Sequence, residues 1–206
     1  MKKLLVLIGF LLICLVSNPV SASIIDVGSH VSTYTGKTRG FWFTAPADFI
    51  ITGLGLPTDA SSENFDVSVL HFNGVPQQWP VETSDFDTLF LSRDNVGSNL
   101  LSTDIHIFSG DMIGILGSRG ANSTNSYGTN YLTDILGFDV TLNRLLMQDD
   151  LRSYDPVTIG VSSSAIHTIG RVLMDTESPM HTPEPTTILL FGIGLLGLAG
   201  VNRKKQ

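Results

Sequence analysis

The chain has 206 residues, with 12 Lys and Arg against 19 Asp and Glu and a single cysteine, Cys14. That length holds one ordinary domain plus targeting segments and leaves little room for a second domain. The acidic balance excludes nucleic acid and anionic lipid as partners, and a lone cysteine excludes an internal disulfide.

Residues 1–22 open with Lys2 and Lys3, continue as an apolar run from Leu4 to Val16, and close on small residues around Pro19. This is the layout of a secretory signal peptide, and Val20 and Ala22 place the signal-peptidase cut between Ala22 and Ser23. A lipoprotein leader would use Cys14, but that residue lies inside the apolar run behind bulky Ile13. The exported chain then has no thiol to act as nucleophile or metal ligand. Lys2 and Lys3 leave with the leader and Arg203, Lys204 and Lys205 lie in the tail, so Ser23 to Pro185 keeps 7 basic residues against all 19 acidic ones, a net charge of −12.

From Ser23 to about Asp175, short apolar runs alternate with Gly, Pro, Asn, Asp and Ser, the pattern of strands and turns. Strands are expected at Gly40–Ala45, Phe49–Leu56, Phe65–Phe72, Thr88–Arg93, Leu100–Phe108, Met112–Leu116, Gly137–Asn143 and Ile166–Asp175. In the seventh, Phe138, Val140 and Leu142 share one face. Leu145 to Leu151 is open to reading as a helical turn, and Ser118 to Thr129 as a long polar loop with turns at Gly117, Gly120 and Gly128. Eight short strands without helical interleaving give an all-β domain over residues 23–176, an antiparallel β-sandwich of jelly-roll kind. No internal repeat points to a propeller or solenoid.

Chemistry is weakly written in this body. Trp79, in the proline-bounded loop "GVPQQWP", is placed for an indole to stack on a sugar ring, and Trp42 faces away from its neighbours Phe41 and Phe43. Burial of either tryptophan in the core is the competing reading. Gly160-Val161-Ser162-Ser163-Ser164 falls one residue short of the GxSxG elbow. Glu82, Asp85 and Asp87 share a loop and imitate a glycosidase pair, as any acidic loop does. His30, His71, His106 and His167 lack HExxH or other ligand spacing, while Asp59, Asn64 and Asp66 are candidate calcium oxygens without EF-hand spacing. The expectation is no catalytic residue, no metal and no cofactor.

The chain closes with a linker over residues 177–185 and a membrane helix over 186–202, followed by a basic end over 203–206. Thr186 to Val201 are uncharged, and sixteen helical residues reach about 24 Å, short of a hydrocarbon core of roughly 30 Å. Snorkelling by Arg203, Lys204 and Lys205 and local bilayer thinning make up the difference. The positive-inside rule keeps those three residues cytoplasmic and sets Pro183, Glu184 and Pro185 just outside. Gly192, Gly194 and Gly197 spell GxGxxG, but a dinucleotide site needs a preceding strand and a downstream acid, which this segment lacks.

Pro183-Glu184-Pro185, one hydrophobic segment and a terminal basic cluster, in that order behind a signal peptide, resemble the PEP-CTERM sorting signal of Gram-negative bacteria. The resemblance covers about 24 of the 206 residues. It implies recognition of the tail by an exosortase, a membrane-embedded cysteine transpeptidase, and an association with extracellular polymer and biofilm. "RGFWFTAPADFIITGLGLPTDAS" and "SGDMIGILGSRGANSTNSYG" are similar to segments of other sorted ectodomains, which carry over no activity. A bare C-terminal anchor is the plainer alternative. The reading is a non-enzymatic surface or extracellular-matrix protein, exported, transiently anchored by its tail and then delivered to the cell surface or the exterior. A carbohydrate-binding module acting on extracellular polysaccharide is the alternative.

Overall fold

Along "RGFWFT", Phe41 and Phe43 are fully buried while Trp42 between them is only partly so, and this two-residue period organises the whole molecule. The structure, a computed structural model, describes residues 23–97, 99–129, 131–162 and 168–179. The expected signal peptide, the Pro-Glu-Pro triplet, the expected tail helix, the basic end and His167 lie outside the described residues.

Among the described residues the secondary structure is all β, with no helix. In chain order the strands are β1 (Ser23–Ile24), β2 (Ser32–Tyr34), β3 (Arg39–Thr44), β4 (Phe49–Gly55), β5 (Phe65–Phe72), β6 (Phe86–Asn95), β7 (Leu101–Ile107) and β8 (Met112–Arg119). There follow β9 (Asn125–Gly128), β10 (Leu132–Ile135), β11 (Phe138–Thr141), β12 (Asn143–Met147), β13 (Ile159–Ser162), β14 (Ile169–Gly170) and β15 (Leu173–Glu177). A six-stranded sheet has the order β13-β12-β3-β8-β5-β6, a four-stranded sheet β1-β15-β4-β7, and a three-stranded sheet β14-β9-β2. β10 and β11 form a separate hairpin, and every strand ladder is antiparallel.

The main hydrophobic cluster joins the two larger sheets. Phe41, Phe43, Val67, Val69, Ile113 and Ile115 come from the six-stranded sheet, and Phe49, Ile51, Leu54, Ile107 and Met174 from the four-stranded one. Phe43 and Phe49 stack across this layer with ring centroids 6.3 Å apart. The opposite face of the six-stranded sheet is also dry: Leu70, Phe72, Leu116, Leu145, Met147, Ile159 and Val161 form a second cluster with Leu151. A sheet covered on both faces leaves β5 and β8 buried at nearly every position, polar Asp66, Ser68 and Ser118 included.

Most of the expected strands are present, and Phe65–Phe72 coincides to the residue. Four expectations are corrected. Gly137–Asn143 is not one strand: β11 ends at Thr141 and β12 begins at Asn143. The helical turn proposed from Leu145 is strand as far as Met147, because Leu145 and Met147 are buried where β12 pairs with β3 and β13. Ile166–Asp175 resolves into β14 and β15, Ile166 itself lying outside the described residues.

The polar loop Ser118–Thr129 is largely internal, comprising the end of β8, a turn and β9. Asn125 and Ser126 are satisfied inside the protein, whereas the buried Ser123 Oγ has no hydrogen-bond partner. Asn125 Nδ2 donates to the carbonyls of Tyr34, Lys37 and Ser123, and Asn125 Oδ1 accepts from Arg39 N. Of the three glycines expected at turns there, only Gly120 has positive φ, at 69°. Gly117 and Gly128 sit in strands instead.

Candidate functional site

The connection from β5 to β6, residues 73–85, is a long crossing rather than a tight hairpin turn. Its base is closed by Asn73 N donating to Asp85 O at 3.1 Å. Its middle reaches β13, at the far edge of the six-stranded sheet from β6, and pairs with it twice. Gln78 forms a parallel bridge with Val161, and Thr83 an antiparallel bridge with Ile159. Trp79 N donates to Val161 O at 2.8 Å, Val161 N to Gln77 O at 3.1 Å, and Thr83 and Ile159 exchange N–H···O bonds of 2.8 and 2.9 Å. The loop is thereby fixed at both ends of Trp79, and Glu82 Oε2 accepts a further bond from Thr158 Oγ1 at 2.8 Å.

Trp79 is 49% exposed, and its Cε3 lies 3.4 Å from the point where a Cβ on Gly160 would stand. The indole therefore rests against bare backbone and shows the rest of its surface to solvent. Val75, Val81, Tyr154 and Val157, carried by the same loop and by the segment leading into β13, are also exposed. Trp42 is placed differently: it packs against the second hydrophobic cluster, and its indole N–H is buried without a partner. The two tryptophans do not act alike, and only Trp79 offers a surface.

The remaining candidates separate. Asp59 is bonded to Arg171, whereas Asn64 Nδ2 donates to Asp94 Oδ1 and Asp66 Oδ1 accepts from Asp94 N at 2.8 Å. The proposed calcium trio is thus divided between two networks, and among the described residues no group of three or more His, Cys, Asp or Glu is placed to hold a metal ion. Ile159–Ser162 is an extended strand, not the strand-turn-helix of a nucleophile elbow. His71 faces Asp111 at 3.4 Å and His106 faces Asp104 at 3.4 Å. Shallow depressions of about 370 and 400 Å³ flank the turn after Gly120, but Arg152 and Asn64 in the first are both committed to Asp94.

Two clusters went unseen in the sequence. Arg119, 1% exposed, donates to the carbonyls of Leu56, Pro57, Glu63 and Gly97, with its guanidinium 5.2 Å above the Phe65 ring. Burial lowers its pKa from the usual arginine value and outweighs the opposing charge of Asp59. The second cluster joins His30, Ser126, Asp59 and Arg171. Ser126 Oγ is 2.9 Å from His30 Nδ1 and accepts from Arg171 NH1 at 2.8 Å, and His30 Nδ1 is 3.7 Å from Asp59 Oδ1. In a serine hydrolase the two imidazole nitrogens serve different partners. Here Nδ1 meets both Ser126 and Asp59, while Nε2 faces Thr33 at 3.5 Å, so the group lacks the relay geometry and ties the loop after β4 to β9. No spacing in the chain announces it, since His30 and Ser126 are 96 positions apart.

Residues 181–204 match the family model of the PEP-CTERM protein-sorting motif. The chain carries a PEP-CTERM sorting signal. The match contains Pro183, Glu184 and Pro185 and extends through Arg203 and Lys204, the residues on which the tail was read. A PEP-CTERM signal implies export, a C-terminal membrane anchor before cleavage, and processing by an exosortase. No curated protein and no solved structure matches the chain.

Proposed function

We propose that this PEP-CTERM protein is a non-enzymatic component of the cell surface or extracellular matrix, associated with exopolysaccharide, whose body is a sandwich of jelly-roll kind. The sorting motif at residues 181–204 carries this reading, because it directs the body to the compartment where such polymers accumulate. The His30–Ser126–Asp59–Arg171 group supports the non-enzymatic part, because it brings a hydroxyl, an imidazole and a carboxylate together without relay geometry. Expressed with an exosortase and weighed intact, the protein is expected to lose the segment after the Pro-Glu-Pro triplet. A mature mass that still includes Thr186 to Gln206 would remove the sorting reading.

A second reading, a carbohydrate-binding module, is favoured by one specific observation: the half-exposed Trp79 held on a loop bonded at both ends to β13. An immobilised indole offers a flat apolar face at little cost in conformational entropy. The Trp79→Ala variant is expected to lose retention on the producer's own polysaccharide. Retention equal to that of the parent protein would reject this reading.

A further inference from the structure

The Trp79 surface has an unusual charge. From Gly40 to Ser92 the chain contains no Lys or Arg, and from Ser153 to Gly170 it again contains none. Those two stretches supply the Trp79 loop and the segment into β13 that it lies against. Carboxylates are plentiful there: Glu82, Asp85 and Asp87 follow Trp79 in the chain, and Asp155 stands between Tyr154 and Val157. Only Asp155 meets a basic group, Arg93 of β6, at 2.5 Å. Elsewhere the arginines are occupied too: Arg39 and Arg119 by carbonyls, Arg144 by the Tyr127 hydroxyl, Arg152 by Asp94 and Arg171 by Asp59. Neither stretch therefore brings a basic side chain of its own, and among the described residues Glu82, Asp85 and Asp87 form no ion pair with Lys or Arg.

We infer that the Trp79 platform binds a cationic, amino-bearing polysaccharide, with the indole stacking on a pyranose ring while Glu82, Asp85 and Asp87 receive the ammonium groups. This rests on the carbohydrate-binding reading and narrows it to one ligand class. Stacking on an aromatic face uses the axial C–H groups of a sugar and is indifferent to charge, so it sets affinity without choosing among polymers. Choice falls to the surrounding field. A uronate polymer meets the uncompensated carboxylates that follow Trp79 in the chain and is repelled, whereas an amino-sugar polymer is attracted and exchanges its counterions. A second copy of the chain fits the patch poorly for the same reason, because both partners would bring the same acidic rim.

The inference is tested with the secreted, processed protein and three soluble probes: chitosan oligosaccharides, cellulose oligosaccharides and alginate oligosaccharides. Isothermal titration calorimetry is expected to show saturable binding of the chitosan probe alone, weakening about tenfold between low and physiological salt as surface charges are screened. Trp79→Ala should weaken binding at least tenfold and Trp79→Phe less. The triple variant Glu82→Gln, Asp85→Asn, Asp87→Asn, which leaves the platform intact, should abolish the preference for chitosan and the salt dependence. Equal or better binding of the cellulose or alginate probe overturns the inference while leaving the carbohydrate-binding reading standing. Binding of none of the three, or a binding signal that follows self-association by light scattering, overturns both.

Discussion

Arg119 illustrates how one side chain replaces a missing loop scaffold. Its four carbonyl acceptors belong to the segment after β4 and to the turn after β6, two irregular stretches without strand partners of their own. Arg119→Met keeps the bulk but leaves those buried carbonyls unpaired, which should destabilise the fold by about 3 kcal/mol in urea unfolding. Arg119→Lys, with a point charge in place of a fork, should recover only part of that. Asp59 supplies a pH-dependent contribution. Burial acts to raise its pKa, but hydrogen bonds from Ser126 and Arg171 and the Arg171 charge outweigh it and hold the carboxyl below its ordinary value. A depressed acid stabilises the fold above its unfolded pKa and loses that effect as pH falls toward the folded value. Asp59→Asn should therefore cost up to about 1 kcal/mol at pH 6. The difference from the parent should shrink progressively as pH falls below about 4 in thermal melts. Asp66 responds in the opposite sense, since burial raises its pKa and acidification relieves its charge, so the two are separated only by single variants.

At the level of elements, glycine marks where strands cross too closely for a side chain. A Cβ on Gly40 would stand 1.8 Å from Ile115 O, and one on Gly170 would stand 2.6 Å from Gly40 N. β14 thus lies directly over β3, backbone against backbone, and couples the three-stranded sheet to the six-stranded one. Gly40→Ala should destabilise by about 3 kcal/mol or more, because the clash is with main chain that cannot turn aside. By contrast, Gly160→Ala makes only an ordinary contact with Trp79 and should be tolerated. The long strands β3 to β8 were legible in the sequence because their apolar runs are bounded by turn residues. β9 was not, since "NSYG" has the composition of a loop and becomes a strand only through buried hydrogen bonds to β2 and β14. β1, β2 and β14 are two or three residues long and have no period to read. Trp79 was legible as a candidate from its proline-bounded loop. Its support on Gly160 was not, because the two are 81 positions apart and meet only through the pairing of the loop with β13.

On the scale of the whole molecule, the ends and the body carry different instructions. The tail resembled a PEP-CTERM signal from its sequence alone, because an address read by an enzyme at the membrane is linear and needs no fold. The body's side-chain clusters are assembled from distant positions, as His30 with Ser126 and Trp79 with Gly160, so little of them could be read in advance. One feature of the body bears on how the address is used. β1 pairs with β15, setting Ser23 opposite Thr176, so the polypeptide enters and leaves the domain at the same pole. From Glu177 to Pro183 the chain can stretch at most about 20 Å, whereas a domain of this size is roughly 40 Å across. Before processing, then, the body hangs on a leash shorter than its own width. An exosortase processing the tail works under the overhang of that pole and meets its substrate as a folded object as well as a peptide.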